Sequence, residues 1–136
     1  TPPADGAGAA DAIRQALSRA GLAADQIDYV NLHGTATAVN DAAEAQAVTA
    51  AISATVPASS IKGAVGHTLG AAGAVEAIIS MLAIEDGLIP GNTGLTQRDP
   101  LVLQNVSVDC RAARVDHVLS NSFGFGGSNC ALVLGR

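Results

Sequence analysis

Tryptophan is absent, and the aromatic complement is Tyr29, Phe123 and Phe125. The core must therefore be built from Ala, Val, Ile and Leu, with few large anchors, as in a unit that packs against something else. Cysteine is scarce: Cys110 and Cys130 cannot form a disulfide scaffold, and without a Cys/His cluster they do not form a zinc site. A reduced, cytoplasmic setting is the expectation. Charged residues are only 14% against 49% hydrophobic, which excludes a disordered tail. An excess of positive charge is missing, and the net charge of −5 argues against nucleic acid or an anionic membrane as partner. Long apolar runs are missing too. The best, at 68–84, is interrupted by Glu76, rich in Gly and Ala, and a poor membrane span; the N-terminus has no signal-peptide pattern. At 136 residues the chain is one domain or part of one, and its first residue, Thr1, suggests a processed chain or a fragment.

What is present alternates between helical and strand periodicity. Ala9, Ile13, Ala16, Leu17 and Ala20 predict a helix over 8–20, with Gly21 at its C′ position. Ile27, Tyr29, Val30 and Leu32 predict a strand over 26–32. A second helix is expected to begin near Asn40 or Asp41, where Asp41-x-x-Glu44 resembles a capping box, and to run to about Ile52. A strand is expected at 59–63. A third helix at 69–86, apolar almost all round, is stopped by Gly87 and Pro90 and should be buried on every side. After a loop at 90–104 come strands at 105–109, 117–120 and 130–134, the first of them weak. This order predicts an α/β layered unit with parallel pairing and an antiparallel C-terminal pair.

Polar motifs follow the first two predicted strands, where open α/β sheets place their ligands. His33 stands in His33-Gly34-Thr35-Ala36-Thr37, and His67 follows Gly66 at the expected start of the third helix. Each is either an ordinary loop histidine or one of a convergent pair. A helix start would bias His67 toward the neutral ring. Lys62, at a strand end, is either a solvated lysine or part of that site, and its glycine surroundings are unlike a phosphate loop. Glu44 reads as a helix cap. Glu76, alone on an apolar helix, requires a partner, with Lys62 or a cation as candidates. Cys130 reads as a packed thiol and Cys110 lacks a base, so neither is taken as a nucleophile. Phe123 and Phe125 lie in a glycine-rich stretch, as core aromatics in a tight turn or as a gate at an apolar pocket.

Three strings carry a resemblance: YVNLHGTATAVNDAAEAQAV, IKGAVGHTLGAAGAVEAI and LSNSFGFGGSNCALVLGR. In this order they closely resemble the C-terminal half of β-ketoacyl-[acyl carrier protein] synthases, condensing enzymes with a thiolase-like, five-layered αβαβα fold. The resemblance implies that residues 1–136 form the C-terminal synthase domain, starting after its first strand. It implies that the nucleophilic cysteine belongs to an N-terminal half that this sequence does not contain. It identifies His33 and His67 with the catalytic histidines and Lys62 with the active-site lysine. Thr35 and Thr37 match residues near the pantetheine arm, and Phe125, with Phe123 beside it, matches the gating phenylalanine. Glu44 and Glu76 match acids near the lysine. Asn31, Glu76, Asn121 and Ser122 lie where some members hold a structural monovalent cation.

The implied activity is decarboxylative Claisen condensation of a malonyl carrier protein with an enzyme-bound acyl thioester, in fatty acid or polyketide synthesis. The implied partners are acyl carrier protein, the N-terminal half and a second copy of the complete enzyme. No cofactor is implied, the substrates being carried on phosphopantetheine. A catalytically inactive, chain-length-factor-like subunit is the alternative, against which the presence of His33, Lys62 and His67 counts. A degradative thiolase-type enzyme is a third reading, disfavoured by the His-Gly-Thr and Phe-Gly-Phe-Gly-Gly strings.

Overall fold

A computed structural model describes residues 5–100, 105, 106 and 108–136, the side chain of Phe125 excepted. Helix α1 (Ala7–Ala20) buries Ala9, Ala10, Ile13 and Leu17, the i, i+4 stripe read from the sequence. Gly21 ends it at φ 67°, a left-handed conformation costly for a residue with a Cβ. The amides of Gly21 and Leu22 then reach back to the carbonyls of Ser18 and Leu17. The chain enters β1 (Tyr29–Asn31), then α2 (Ala38–Ala51), β2 (Ala58–Ser59) and a single helical turn, α3 (Lys62–Val65). A 3-10 turn at Leu69–Ala71 leads into α4 (Ala72–Asp86). Two-residue strands β3 (Leu88–Ile89) and β4 (Arg111–Ala112) pair antiparallel, and β5 (His117–Phe123) and β6 (Asn129–Gly135) complete the molecule.

The main sheet has the order β2-β1-β5-β6. β1 runs parallel to both β2 and β5, and β6 returns antiparallel along the whole of β5. α1 and α2 cover one face through Ile13, Leu17, Val48, Val30 and Leu119. α4 covers part of the other, through Ala83 and Ile84 against Tyr29 and Val118. Each such buried aliphatic side chain contributes about 1.5–3 kcal/mol. The α/β class, the parallel strands and the antiparallel C-terminal pair agree with the sequence reading.

Several boundaries differ from it. α2 begins at Ala38 with Thr37 at the N-cap, so Asp41 and Glu44 do not form a capping box. The strand expected over 59–63 is only Ala58–Ser59; Lys62 instead opens α3. His67 lies between α3 and the 3-10 turn rather than at the start of a helix. The weak strand at 105–109 shrinks to one bridge, Ala58 to Val106, among the described residues. Phe123 is the last residue of β5, not part of a flexible loop. Cys130 is exposed rather than packed.

The larger difference concerns α4. Its buried residues are Ala72, Glu76, Ser80, Ala83 and Ile84, so two polar side chains are among those facing inward. Ile78, Met81 and Leu82 face outward, exposed by 57%, 57% and 44%. Within this chain the helix is therefore not covered on every side. Ser80 relieves its own burial by donating its hydroxyl to the Glu76 carbonyl at 2.8 Å.

Candidate active site

The carboxyl ends of the parallel strands β1 and β2, and the end of β5, meet at one edge of the sheet. His33 follows β1, Lys62 follows β2, and Phe123 ends β5. The centroid of the His33 ring lies 5.6 Å from that of His67, edge to face, and 5.9 Å from that of Phe123. Two histidines separated by 34 positions in the sequence thus converge, as the topology suggested.

The backbone at His33 is clamped. Buried Glu44, on α2, accepts the His33 amide at 2.8 Å on one carboxylate oxygen and the Gly34 amide at 2.9 Å on the other. Asn121 of β5 donates its side-chain amide to the first oxygen at 3.2 Å. Burial pushes the Glu44 carboxyl up, and these donors pull it back toward the ionised form. Gly34 has φ 46°, and a Cβ there would lie 2.4 Å from that of Ser60, so the turn admits only glycine.

Lys62 forms an ion pair with Glu76, both side chains almost fully buried. Of the two acids that the resemblance put beside the lysine, Glu76 reaches it, while Glu44 turns to His33 and Gly34. Burial raises the Glu76 carboxyl against the pull of Lys62. The His33 ring titrates at about 4, below its ordinary value, because burial disfavours its charged form and Lys62 and His67 add positive charge nearby. His33 is therefore a neutral ring near pH 7. His67 is exposed, and its Nδ1 accepts the Leu69 amide at 3.2 Å. The neutral ring then carries its proton on Nε2, where it is available as a donor. Leu69 and Ala36, flanking the two histidine segments, hold positive φ values of 51° and 60°, strain of the kind that clusters at functional sites.

The remaining sequence-predicted residues are placed as follows. The hydroxyls of Thr35 and Thr37 hydrogen-bond to each other at 3.0 Å on the exposed side of the loop. The Phe125 side chain lies outside the described residues. The cation set divides across the sheet. Strand alternation puts Asn31 and Ser122 on the α4 face with Glu76, and a Cβ on Gly73 of α4 would meet the Ser122 hydroxyl at 3.3 Å. Asn121 turns its side chain to Glu44 on the opposite face. Both amide atoms of Asn31 and Oε2 of Glu76 are buried without a hydrogen-bond partner among the described residues. Among the described residues no group of three or more His, Cys, Asp or Glu could hold a metal ion. No helix among them is long and apolar enough to cross a membrane.

Sequence reasoning missed Ser60. Its hydroxyl donates to the Gly34 carbonyl at 3.0 Å and accepts the Lys62 amide at 3.3 Å. The available signal was a serine pair ending a buried strand two residues before the lysine.

Comparison with known proteins identifies the family and the fold. The family described as "Beta-ketoacyl synthase, C-terminal domain" matches residues 1–96. The mitochondrial 3-oxoacyl-[acyl-carrier-protein] synthase of Arabidopsis thaliana is 46% identical over 97% of this chain and 30% of its own length. A solved β-ketoacyl synthase from Burkholderia phymatum superposes with a TM-score of 0.92 at 40% identity, over 99% of this chain and 33% of that one. The ishigamide ketosynthase/chain length factor superposes at 0.93 with 36% identity, over 97% of this chain and 33% of that one. The chain spans about a third of the length of the curated relatives it matches. The mixed α/β fold is thiolase-like. With the fold in agreement and the family match spanning residues 1–96 of 136, the chain belongs to the β-ketoacyl synthase family, as sequence of the C-terminal domain.

Proposed function

We propose that this chain supplies the enolate-stabilising part of a 3-oxoacyl-[acyl carrier protein] synthase, and the observation that carries the reading is the convergence of His33 and His67 beside a buried Lys62–Glu76 pair. A malonyl thioester placed with its carbonyl oxygen between the two rings receives hydrogen bonds from both. The carboxylate leaves as CO₂, and its C–C bonding pair becomes the enolate, whose oxygen the two donors hold. The enolate carbon attacks an acyl thioester on a cysteine supplied by the N-terminal half. A C–C bond forms, the C–S bond breaks, and the cysteine leaves as thiolate, giving a 3-oxoacyl carrier protein. Burial keeps His33 in the neutral form, and the positive charge of Lys62 beside it adds to that bias. Glu76 anchors that charge.

Thr35 and Thr37 border the expected path of the phosphopantetheine arm, and Phe123 and Phe125 the acyl side. No redox or carbonyl cofactor is needed, because the carrier thioester activates the nucleophilic carbon and the cysteine thioester the electrophilic one. A structural monovalent cation fits the unpartnered oxygens of Asn31 and Glu76, hard donors beside a buried carboxylate, with Ser122 on the same face. It would neutralise charge there. The complete enzyme is read as a cytoplasmic dimer that docks acyl carrier protein. A chain-length-factor-like role is the second reading, since two structural neighbours are described as ketosynthases with a chain length factor.

The test uses the complete synthase. His33→Ala and His67→Ala are each expected to slow malonyl decarboxylation by about 10²–10³, with far smaller effects on acylation of the cysteine. Equal loss of both steps would show that the substitutions only disrupt the site. No effect on either would favour the inactive-subunit reading.

A further inference from the structure

The His33 turn has a second brace besides Glu44. A serine hydroxyl has one proton to give and lone pairs to accept with, and Ser60 uses both kinds of capacity on two different segments. It donates to the carbonyl of Gly34, the residue after His33. It accepts the amide of Lys62, a helix-start donor with no partner within α3. Its own amide donates to the Asn92 side-chain oxygen at 2.8 Å, which ties it to the 90–99 loop. Gly34 is thereby held at both ends: its N–H by Glu44 of α2, its carbonyl by Ser60 at the end of β2. Glu44 sets the His33 turn against the helix layer. Ser60 sets it against α3, the single turn that His67 follows, five positions after Lys62.

We infer that Ser60 is a positioning residue, which holds the His33 turn in register with the Lys62–His67 segment so that both rings address one oxygen. It touches no substrate and acts through the backbone on either side. The inference rests on the functional reading above and deepens it. Ser60 borders a cavity of about 340 Å³ together with Gly34, Gly63, Asn92, Thr93 and Leu95. Ser60→Thr preserves the hydroxyl. Ser60→Ala removes it. Ser60→Cys keeps nearly the same shape with a much poorer donor.

In the complete synthase, Ser60→Ala and Ser60→Cys are expected to lower kcat for malonyl carrier protein decarboxylation by about tenfold to a hundredfold, the scale set by misplacing a reacting geometry by about 1 Å. KM and the rate of cysteine acylation should stay within about twofold of the parent. Ser60→Thr should restore kcat. His33→Ala is run alongside. If it abolishes decarboxylation while the Ala and Cys variants of Ser60 retain parental kcat, the positioning role is overturned and the functional reading stands. The same holds if those variants lose acylation and decarboxylation in equal proportion, as a merely structural serine would. If His33→Ala leaves decarboxylation intact, the functional reading itself fails, and the role of Ser60 with it. Should Ser60→Ala not fold, the Cys variant decides.

Discussion

A buried imidazole beside a lysine and a second imidazole gives up its proton early, and His33 does so at about 4 instead of its ordinary 6.5. Desolvation is the largest cause. In the unfolded chain the ring is protonated below 6.5, while the folded ring stays neutral until about 4. The unfolded state thus binds the extra proton in that window, so this contribution to stability is complete above pH 6.5, declines as pH falls and is gone below about 4. Histidine ring resonances followed by NMR should show His33 titrating below pH 5, and His33→Gln should flatten the fall in Tm between pH 6.5 and 4. A normal titration near 6.5 would show that water reaches the ring. The Lys62–Glu76 pair offers a second residue-scale test. Lys62→Met strands a buried carboxylate and should cost about 3–5 kcal/mol in chemical denaturation. Lys62→Met combined with Glu76→Met removes both charges and should recover most of that loss. A double variant as unstable as the single one would show that packing, not charge, dominates there.

At the scale of elements, α4 is turned inside out relative to an ordinary surface helix. It buries Glu76 and Ser80 and presents Ile78, Met81 and Leu82 outward. Periodicity could not reveal this, because a helix apolar on nearly every side has no preferred face to read. The orientation follows from the ion pair: only the inward stripe lets Glu76 meet Lys62 from β2's end of the sheet. Ser80→Leu should overpack this interface and cost about 1–3 kcal/mol. Met81→Lys on the isolated chain should change unfolding free energy by less than about 0.5 kcal/mol and reduce self-association. The reverse ranking in denaturant titrations would mean that α4 is rotated.

For the whole molecule, the main sheet carries α1 and α2 on one face and, among the described helices, α4 alone on the other, with Ile89 and Val115 packed beside it. Leu69, Ile78, Met81, Leu82 and Leu132 are left exposed, Leu69 by 70%. Covering each would contribute about 1.5–3 kcal/mol, so the isolated chain should associate or aggregate. Sedimentation combined with denaturing mass spectrometry on one sample should find oligomers or a companion polypeptide carrying the cysteine. A monodisperse species of only 13.4 kDa would count against the half-fold reading.

The sequence alone sufficed for the α/β order and for α1 with its terminating Gly21, since periodicity is a local property; strand-end position left His33 and His67 as candidates for a pair, which the resemblance then identified. The sequence also sufficed for the family, because three motifs stand in the expected order. The starts of α2 and α3 were not legible: at Asp41-x-x-Glu44 a local capping signal competed with Glu44's bond to the His33 turn, and the tertiary contact won. β3 and β4, two residues each, are too short to show any period. Cys130 alternates correctly within β6, but its face of the sheet is left uncovered beyond α4, and strand periodicity carries no information about what covers a face. The partners of Glu44, the facing of α4 and the double role of Ser60 were decided only in three dimensions. Each depends on a side chain meeting a group ten or more positions away, or on which side of a sheet it falls, and neither is written in local spacing.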